Sequence, residues 1–216
     1  MLKTIILADD HVLLRNALAT IINTFPGFNV INMAADGTEL IEVIEGGDIP
    51  DIAILDLNMP KMDGFDTAKW LYKTHPGIKI LILTMYDSEI ALIRLLQVGV
   101  RGFLKKDIHP DELKNALLSV ARDGFYYSHQ ITGKLSTLFK KNNGNRTSIE
   151  KAILSELEIS FLKMAATELT YKEIAVSMKL TPRIIDNFRD ALFDKLNVKS
   201  RVGLAIYAVK NGVVTF

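Results

Sequence analysis

The sequence predicts a doubly wound α/β domain with a five-stranded parallel sheet, followed by a small all-α domain. Three observations carry this expectation. The chain has 216 residues, more than one typical domain. Its first half alternates short apolar runs with helical periods, and past Gly124 the apolar runs stop while helix patterns continue.

The strand candidates are TIILA at 4 to 8, FNVINMA at 28 to 34, DIAILD at 51 to 56, IKILILT at 78 to 84 and VRGFLK at 100 to 105. Their hydrophobicity is continuous rather than alternating, so both faces of each strand are expected to be buried under helices. Between them run helical periods such as Leu14, Ala17, Leu18 and Ile21, and the last strand is followed by Leu113, Ala116, Leu117, Val120 and Ala121. Five βα units follow, over residues 1 to 123. In such a fold the ligand site lies outside the C-terminal ends of the strands.

Residues 124 to 148 read as a linker. SHQITGKLSTLFKK at 128 to 141 predicts a linker helix, and NNGNRTS at 142 to 148 a joint of turn formers. From 149 to 216 four helical patterns appear, three with marked starts. Ser155 with Glu158 and Thr170 with Glu173 form capping boxes, and Thr181 precedes Pro182 at a first helical position. YKEIAVSMKL and TPRIIDNFRDALFDKL, separated by a tight turn, have the layout of a helix-turn-helix.

Composition removes several function classes. There is no cysteine, so disulfides and thiolate chemistry are excluded, and the four histidines, His11, His75, His109 and His129, are too scattered to suggest a zinc site. No apolar stretch approaches the ~20 residues of a membrane span, and no signal-peptide pattern opens the chain, which leads us to expect a cytoplasmic protein without membrane contact. The net charge of +1 conceals an asymmetry. Residues 1 to 125 hold 12 Lys and Arg against 17 Asp and Glu, whereas residues 126 to 216 hold 14 against 8. A basic C-terminal half is one footprint of nucleic-acid binding, although the segment from Ile149 is only +2 once the linker is set aside.

The expected strand ends carry Asp9 and Asp10, Asp56, Thr84 and Lys106. Each alone has an ordinary reading: a helix N-cap for Asp10, a turn residue for Asp56, a β-branched strand end for Thr84, a solvated lysine for Lys106. Together they would converge on one crevice, where three carboxylates beside one lysine repel each other unless a cation joins them. A hard divalent ion, Mg²⁺ by ligand type, resolves that conflict. A carboxylate beside Mg²⁺ can attack a phosphoryl group, with the metal, an ammonium and a hydroxyl taking up the charge on its oxygens. We assign Asp56 as nucleophile, Asp10 as direct ligand, Asp9 as a ligand acting through water, and the backbone carbonyl of Asn58 as a further ligand.

ADDH, LDLNMPKMDG, LTMYD and GFLKKD resemble the receiver domain of bacterial response regulators over about residues 1 to 123. The resemblance implies a flavodoxin-like receiver phosphorylated on Asp56 by a sensor histidine kinase. It further implies phosphoryl binding by Thr84 and Lys106, and an aromatic rotamer switch at Phe103. Asp107 stands where many receivers have a proline after a cis bond. LSELEISFLKMAA, TYKEIAVSMKLTPRIIDNF, KLNVKSR and AIYAVKNGVV resemble the LuxR/NarL-type DNA-binding domain over about residues 149 to 216. The resemblance implies promoter DNA as a partner, a homodimer on phosphorylation, and RNA polymerase as a candidate further partner.

On the expected recognition helix Ile185, Phe188, Leu192 and Leu196 face the core, and Arg183, Asp186, Asn187 and Asp190 face outward. Aspartate 186 and Phe188 stand where family members commonly carry lysine and histidine. Two readings of the acidic face stay open. Either Arg183 and Arg189 neutralise Asp186 as helix neighbours, or Asn187 contacts an adenine edge while an aspartate accepts from a cytosine amino group. Lys172, Lys195, Lys199 and Arg201 are the candidate phosphate anchors. Two rivals differ in class: an aspartyl-phosphate phosphohydrolase, which needs a general-acid aspartate where Asn58 stands, and a regulator whose helical domain contacts protein only.

Overall fold

The structure, a computed structural model, describes residues 2–85, 89–127, 154–211 and 213–214, without the side chains of 89–91 and 93. The linker helix expected at 128–141 and the joint at 142–148 lie outside the described residues. Two compact units are present.

The first unit is built from β1 (Lys3–Ala8), α1 (Val12–Asn23), β2 (Phe28–Ala34), α2 (Gly37–Glu45), β3 (Ile52–Asp56), α3 (Gly64–Thr74), β4 (Lys79–Thr84), α4 (Glu89–Gln97), β5 (Val100–Lys105) and α5 (Pro110–Asp123). The sheet order is β2-β1-β3-β4-β5, all parallel, so β1 and β3 lie side by side near the centre. Strand residues alternate between two cores. Ile6, Ala53, Leu55, Ile80 and Ile82 pack with Leu40, Ile44, Ala68, Leu71, Leu92 and Leu95 on one face. Ile5, Leu7, Ile52, Ile54, Leu81 and Leu83 pack with Ala19, Ile22, Leu113, Ala116, Leu117 and Val120 on the other. This division explains the continuous apolar runs of the inner strands β1, β3 and β4, whose two sides both face a core.

The expected count of five strands needs correction. A sixth, β6 (Tyr126–Tyr127), pairs parallel with β5 inside the segment read as linker. It fits there because Gly102 stands opposite Tyr126, and a Cβ on Gly102 would lie 2.9 Å from the Tyr126 carbonyl oxygen. Phe103 and Tyr127 stack with ring centroids 6.0 Å apart, which adds an apolar contact to two residues of pairing.

The second unit contains α6 (Glu156–Ala165), α7 (Tyr171–Ser177), α8 (Pro182–Leu196) and α9 (Arg201–Lys210). Both capping boxes form, with Ser155 and Thr170 accepting from the N–H groups of Glu158 and Glu173, and Thr181 caps α8. Phe161, Leu162, Ile174, Ile185, Leu192 and Leu204 make a shared core. Phe188 and Leu196, expected inside, are partly buried against it.

Candidate functional site

Sheet register brings the polar strand ends together. Ala8 pairs with Leu55, Asp56 with Leu83 and Thr84 with Lys105, so Asp9, Asp56, Thr84 and Lys106 all emerge within about one step at the same edge. The chain can reach this arrangement after β3 only with glycine at 64, where a Cβ would stand 2.1 Å from the Asp56 carbonyl oxygen.

Asp9 is 3% exposed and Asp56 4%. The Lys106 side chain, 6% exposed, places Nζ 2.8 Å from Asp9 Oδ2 and 2.7 Å from Asp56 Oδ2. The solvated-lysine reading of Lys106 is therefore overturned. Asp10 does not cap α1; the N-cap residue is His11, whose side chain makes no capping bond. His11 Nδ1 lies 3.0 Å from Asp9 Oδ1 and 2.8 Å from Asp10 Oδ1. Arg15 donates to the Asp9 backbone carbonyl and so holds the end of β1 from α1.

Burial pushes the Asp56 carboxyl upward and the Asp9 charge adds to that push. Hydrogen bonds from Lys106 and from the Asn58 N–H work against it without cancelling it. For Lys106 the balance has the opposite sign. Burial disfavours the ammonium, but Asp56 and Asp9 outweigh burial and hold its pKa above the ordinary lysine value. The crevice thus keeps Lys106 charged and pushes the Asp56 carboxyl toward neutrality.

Asp9, Asp10, His11 and Asp56 can each turn one ligand atom into a group within 4.8 Å. Three of these donors are carboxylate oxygens, and a divalent cation among them would favour the ionised form of Asp56, which burial opposes. The donor set therefore fits Mg²⁺. His11 was missed because histidines were compared only with one another, and its adjacency in ADDH was the available signal. Phe103 is buried against Tyr127, and every described peptide bond is trans.

In the helical unit Arg183, Asp186, Asn187 and Asp190 are exposed on α8, and Lys172 and Lys199 are exposed beside it. Arg189 bonds both acids, with Nη1 3.0 Å from Asp186 Oδ1 and Nε 2.9 Å from Asp190 Oδ1. Two expected phosphate anchors have partners within the unit itself. Lys195 Nζ is 2.9 and 2.8 Å from the two carboxylate oxygens of Glu158. Arg201 donates to the Ala165 and Thr167 carbonyls at 2.9 and 2.7 Å and packs over Tyr171 at 5.3 Å. Both satisfy groups around α6, the first at its half-buried N-terminal acid and the second at the carbonyls that end it.

Residues 5–118 match the response regulator receiver domain, and residues 152–208 match the bacterial regulatory proteins of the luxR family. The chain is a LuxR-family response regulator. Oxygen regulatory protein NreC of Staphylococcus carnosus (strain TM300) is 32% identical to this response regulator over 98% of the chain and 99% of its own length. Transcriptional regulatory protein DegU of Brevibacillus brevis is 27% identical over 97% and 94%. Among solved structures, RcsB from Salmonella enterica serovar Typhimurium, bound to promoter rprA in the presence of phosphomimetic BeF3-, matches the fold with a TM-score of 0.71. That likeness spans 96% of this chain and 98% of the other at 23% identity. Among the described residues no helix is long and apolar enough to cross a membrane.

Proposed function

We propose that Asp56 accepts a phosphoryl group from a sensor histidine kinase and that the charge state of this site governs dimerisation and promoter binding by the helical unit, in the cytoplasm. One observation carries the reading: a buried carboxylate at the end of a central strand, tied with a second carboxylate to one buried ammonium. An Asp56 oxygen attacks phosphorus in line, the new O–P bond replaces the P–N bond of the phosphohistidine, and the imidazole keeps the electron pair and takes a proton from water.

Asp9, Asp10, Asp56 and the Asn58 carbonyl are the groups that would hold Mg²⁺, which when bound supplies positive charge to the phosphoryl oxygens. Lys106 has three N–H donors, two of them on Asp9 and Asp56, so the third is available to a phosphoryl oxygen. The Thr84 hydroxyl serves another oxygen. Phe103 reports the change at Thr84 from the neighbouring strand, to which Thr84 is paired through Lys105.

The outcome is regulation rather than turnover, because Asn58 cannot donate a proton as the phosphohydrolase general acid would. The similarity to NreC and DegU, both regulatory proteins by name, supports this direction. On α8, Asn187 and one aspartate read base edges, and Lys172, Arg183 and Lys199 hold phosphates. The acidic face of α8 favours one rival, a helical unit that contacts protein only.

Incubation with a small radiolabelled phosphodonor should label the parent in a Mg²⁺-dependent way and leave Asp56→Asn unlabelled. Equal label on both proteins sinks the assignment of Asp56. A gel shift of the phosphorylated parent against its own upstream region separates the DNA reading from the protein-only rival.

A further inference from the structure

The loop that follows the acceptor is tethered at its far end by groups that play no direct part in the chemistry above. Residues 57 to 63 form a closed turn whose base is the bond from the Gly64 N–H to the Leu57 carbonyl at 3.0 Å. Near its tip stands Lys61 with φ 57, a left-handed conformation that a non-glycine residue keeps only where its surroundings impose it. The surroundings here are the start of α2. Lys61 Nζ lies 2.8 Å from Asp36 Oδ2, and the Gly37 N–H donates to the Met62 carbonyl at 3.1 Å. A Cβ on Gly37 would come within 1.9 Å of Thr67 Oγ1 on α3 and 3.0 Å of the Met62 carbonyl oxygen on the loop, so the start of α2 meets both with no room to spare.

The two partners differ in environment. Asp36 is 1% exposed, whereas the Lys61 side chain is 62% exposed. Asp36 Oδ1 accepts from the Thr38 and Glu39 N–H groups at 2.8 and 3.0 Å, which leaves Oδ2 for Lys61. The carboxylate therefore caps α2 with one oxygen and holds the loop with the other. Hydrogen bonds from Lys61 and the two N–H groups overcome the upward push of burial, so Asp36 stays ionised.

Asn58 sits on this loop, three residues before Lys61, and its N–H already bonds the Asp56 carboxylate. We infer that Asp36 and Lys61 are positioning residues for phosphoryl transfer at Asp56: their ion pair fixes the loop tip and thereby aims the Asn58 carbonyl toward the carboxylates that would hold Mg²⁺. The inference rests on the acceptor reading of Asp56, and the latch itself touches neither metal nor phosphate.

Three variants of the full chain test it. Asp36→Asn keeps an N-cap acceptor while removing the charge, and Lys61→Met keeps the stem while removing the ammonium. Lys61→Arg restores a cation on the same backbone. Calorimetric titration with Mg²⁺ alone, without phosphodonor, should show binding weakened on the order of tenfold in the first two variants, as expected on losing a group that supports a ligand. Lys61→Arg should bind like the parent. In small-donor labelling the half-saturating Mg²⁺ concentration should rise while the rate at saturating Mg²⁺ returns toward the parent's, a split that a general loss of folding does not produce. Parent-like Mg²⁺ binding in both charge-removing variants overturns the inference, and so does a weakening that Lys61→Arg fails to reverse. Label retained on Asp56→Asn would instead count against the acceptor reading, and the Mg²⁺ titration would still judge the latch.

Discussion

Asp186→Lys probes the acidic face of α8 by changing its charge by two. It also removes the acceptor 3.0 Å from Arg189 Nη1, leaving Arg189 with Asp190 and the face of Tyr171. Both aspartates are largely in solvent, so losing one pair should cost less than about 1 kcal/mol of stability. The DNA term is larger. Each cation newly placed on a phosphate adds about 0.9 to the slope of log K against log salt, so the introduced ammonium should steepen it by about 1. The slope should steepen by about 2 if the released Arg189 follows. One added contact corresponds to about a 3.5-fold larger loss of affinity between ~50 and ~200 mM salt. Fluorescence anisotropy titrations of random and target duplexes at several salt concentrations measure this directly. Random-duplex affinity should rise at low salt and the ratio of target to random binding should narrow. An unchanged slope on the random duplex refutes the placement of this face against DNA.

Asn187→Ala should lose about 1 to 3 kcal/mol on target DNA alone, and undiminished discrimination in the same titration removes Asn187 from base readout. Phe161→Ala empties a fully buried ring position stacked on Tyr171 and Phe188, a loss of about 3–5 kcal/mol. That is comparable with the whole stability of so small a unit, so helix content from it and duplex binding should vanish while small-donor labelling persists; intact duplex binding at 25 °C contradicts this. Glu158 is held below the usual carboxylate range, because bonds from Lys195 and Ser155 outweigh burial. It stabilises the fold above its unfolded value of about 4.3 and loses that contribution as pH falls, so Glu158→Gln should lower the melting temperature at pH 7 and flatten the acid limb in a pH series of melts. The Tyr207 hydroxyl is buried with no partner among the described residues and is pushed up to about 12 by burial. Tyr207→Phe should therefore leave stability equal or raise it by up to about 1 kcal/mol in thermal unfolding, and a clear loss would reveal a hidden bond.

The fold was legible wherever an element obeys one local rule. IKILILT announces a strand covered on both sides, and in the structure Ile80 and Ile82 enter one core while Leu81 and Leu83 enter the other. Asp9 and Asp56 were legible as the first acids after such runs. The two residues of β6 are too few to show a period, and their pairing depends on a glycine in another strand. Lys195 and Arg201 have internal partners that were hidden for a related reason. Their partners lie 37, 36 and 34 residues away, and an inward lysine has the same local pattern as an outward one. The Asp36 to Lys61 tether was equally hidden, since Asp36 reads locally as a cap and nothing nearby calls for a second partner.

The receiver crevice draws Asp9 from β1, Asp56 from β3 and Lys106 from beyond β5, and sheet register brings them to where the lysine can pair with both acids. A nascent chain released only as far as α4 has its acids in place but lacks the ammonium that reconciles them. If Asp56 accepts a phosphoryl group as proposed, competence for it appears only when the fifth strand docks. On the proposed reading of Asp56, a kinase that uses this crevice is spared copies that stop before the fifth strand, and the carboxylate doubles as a certificate that β1, β3 and β5 have docked.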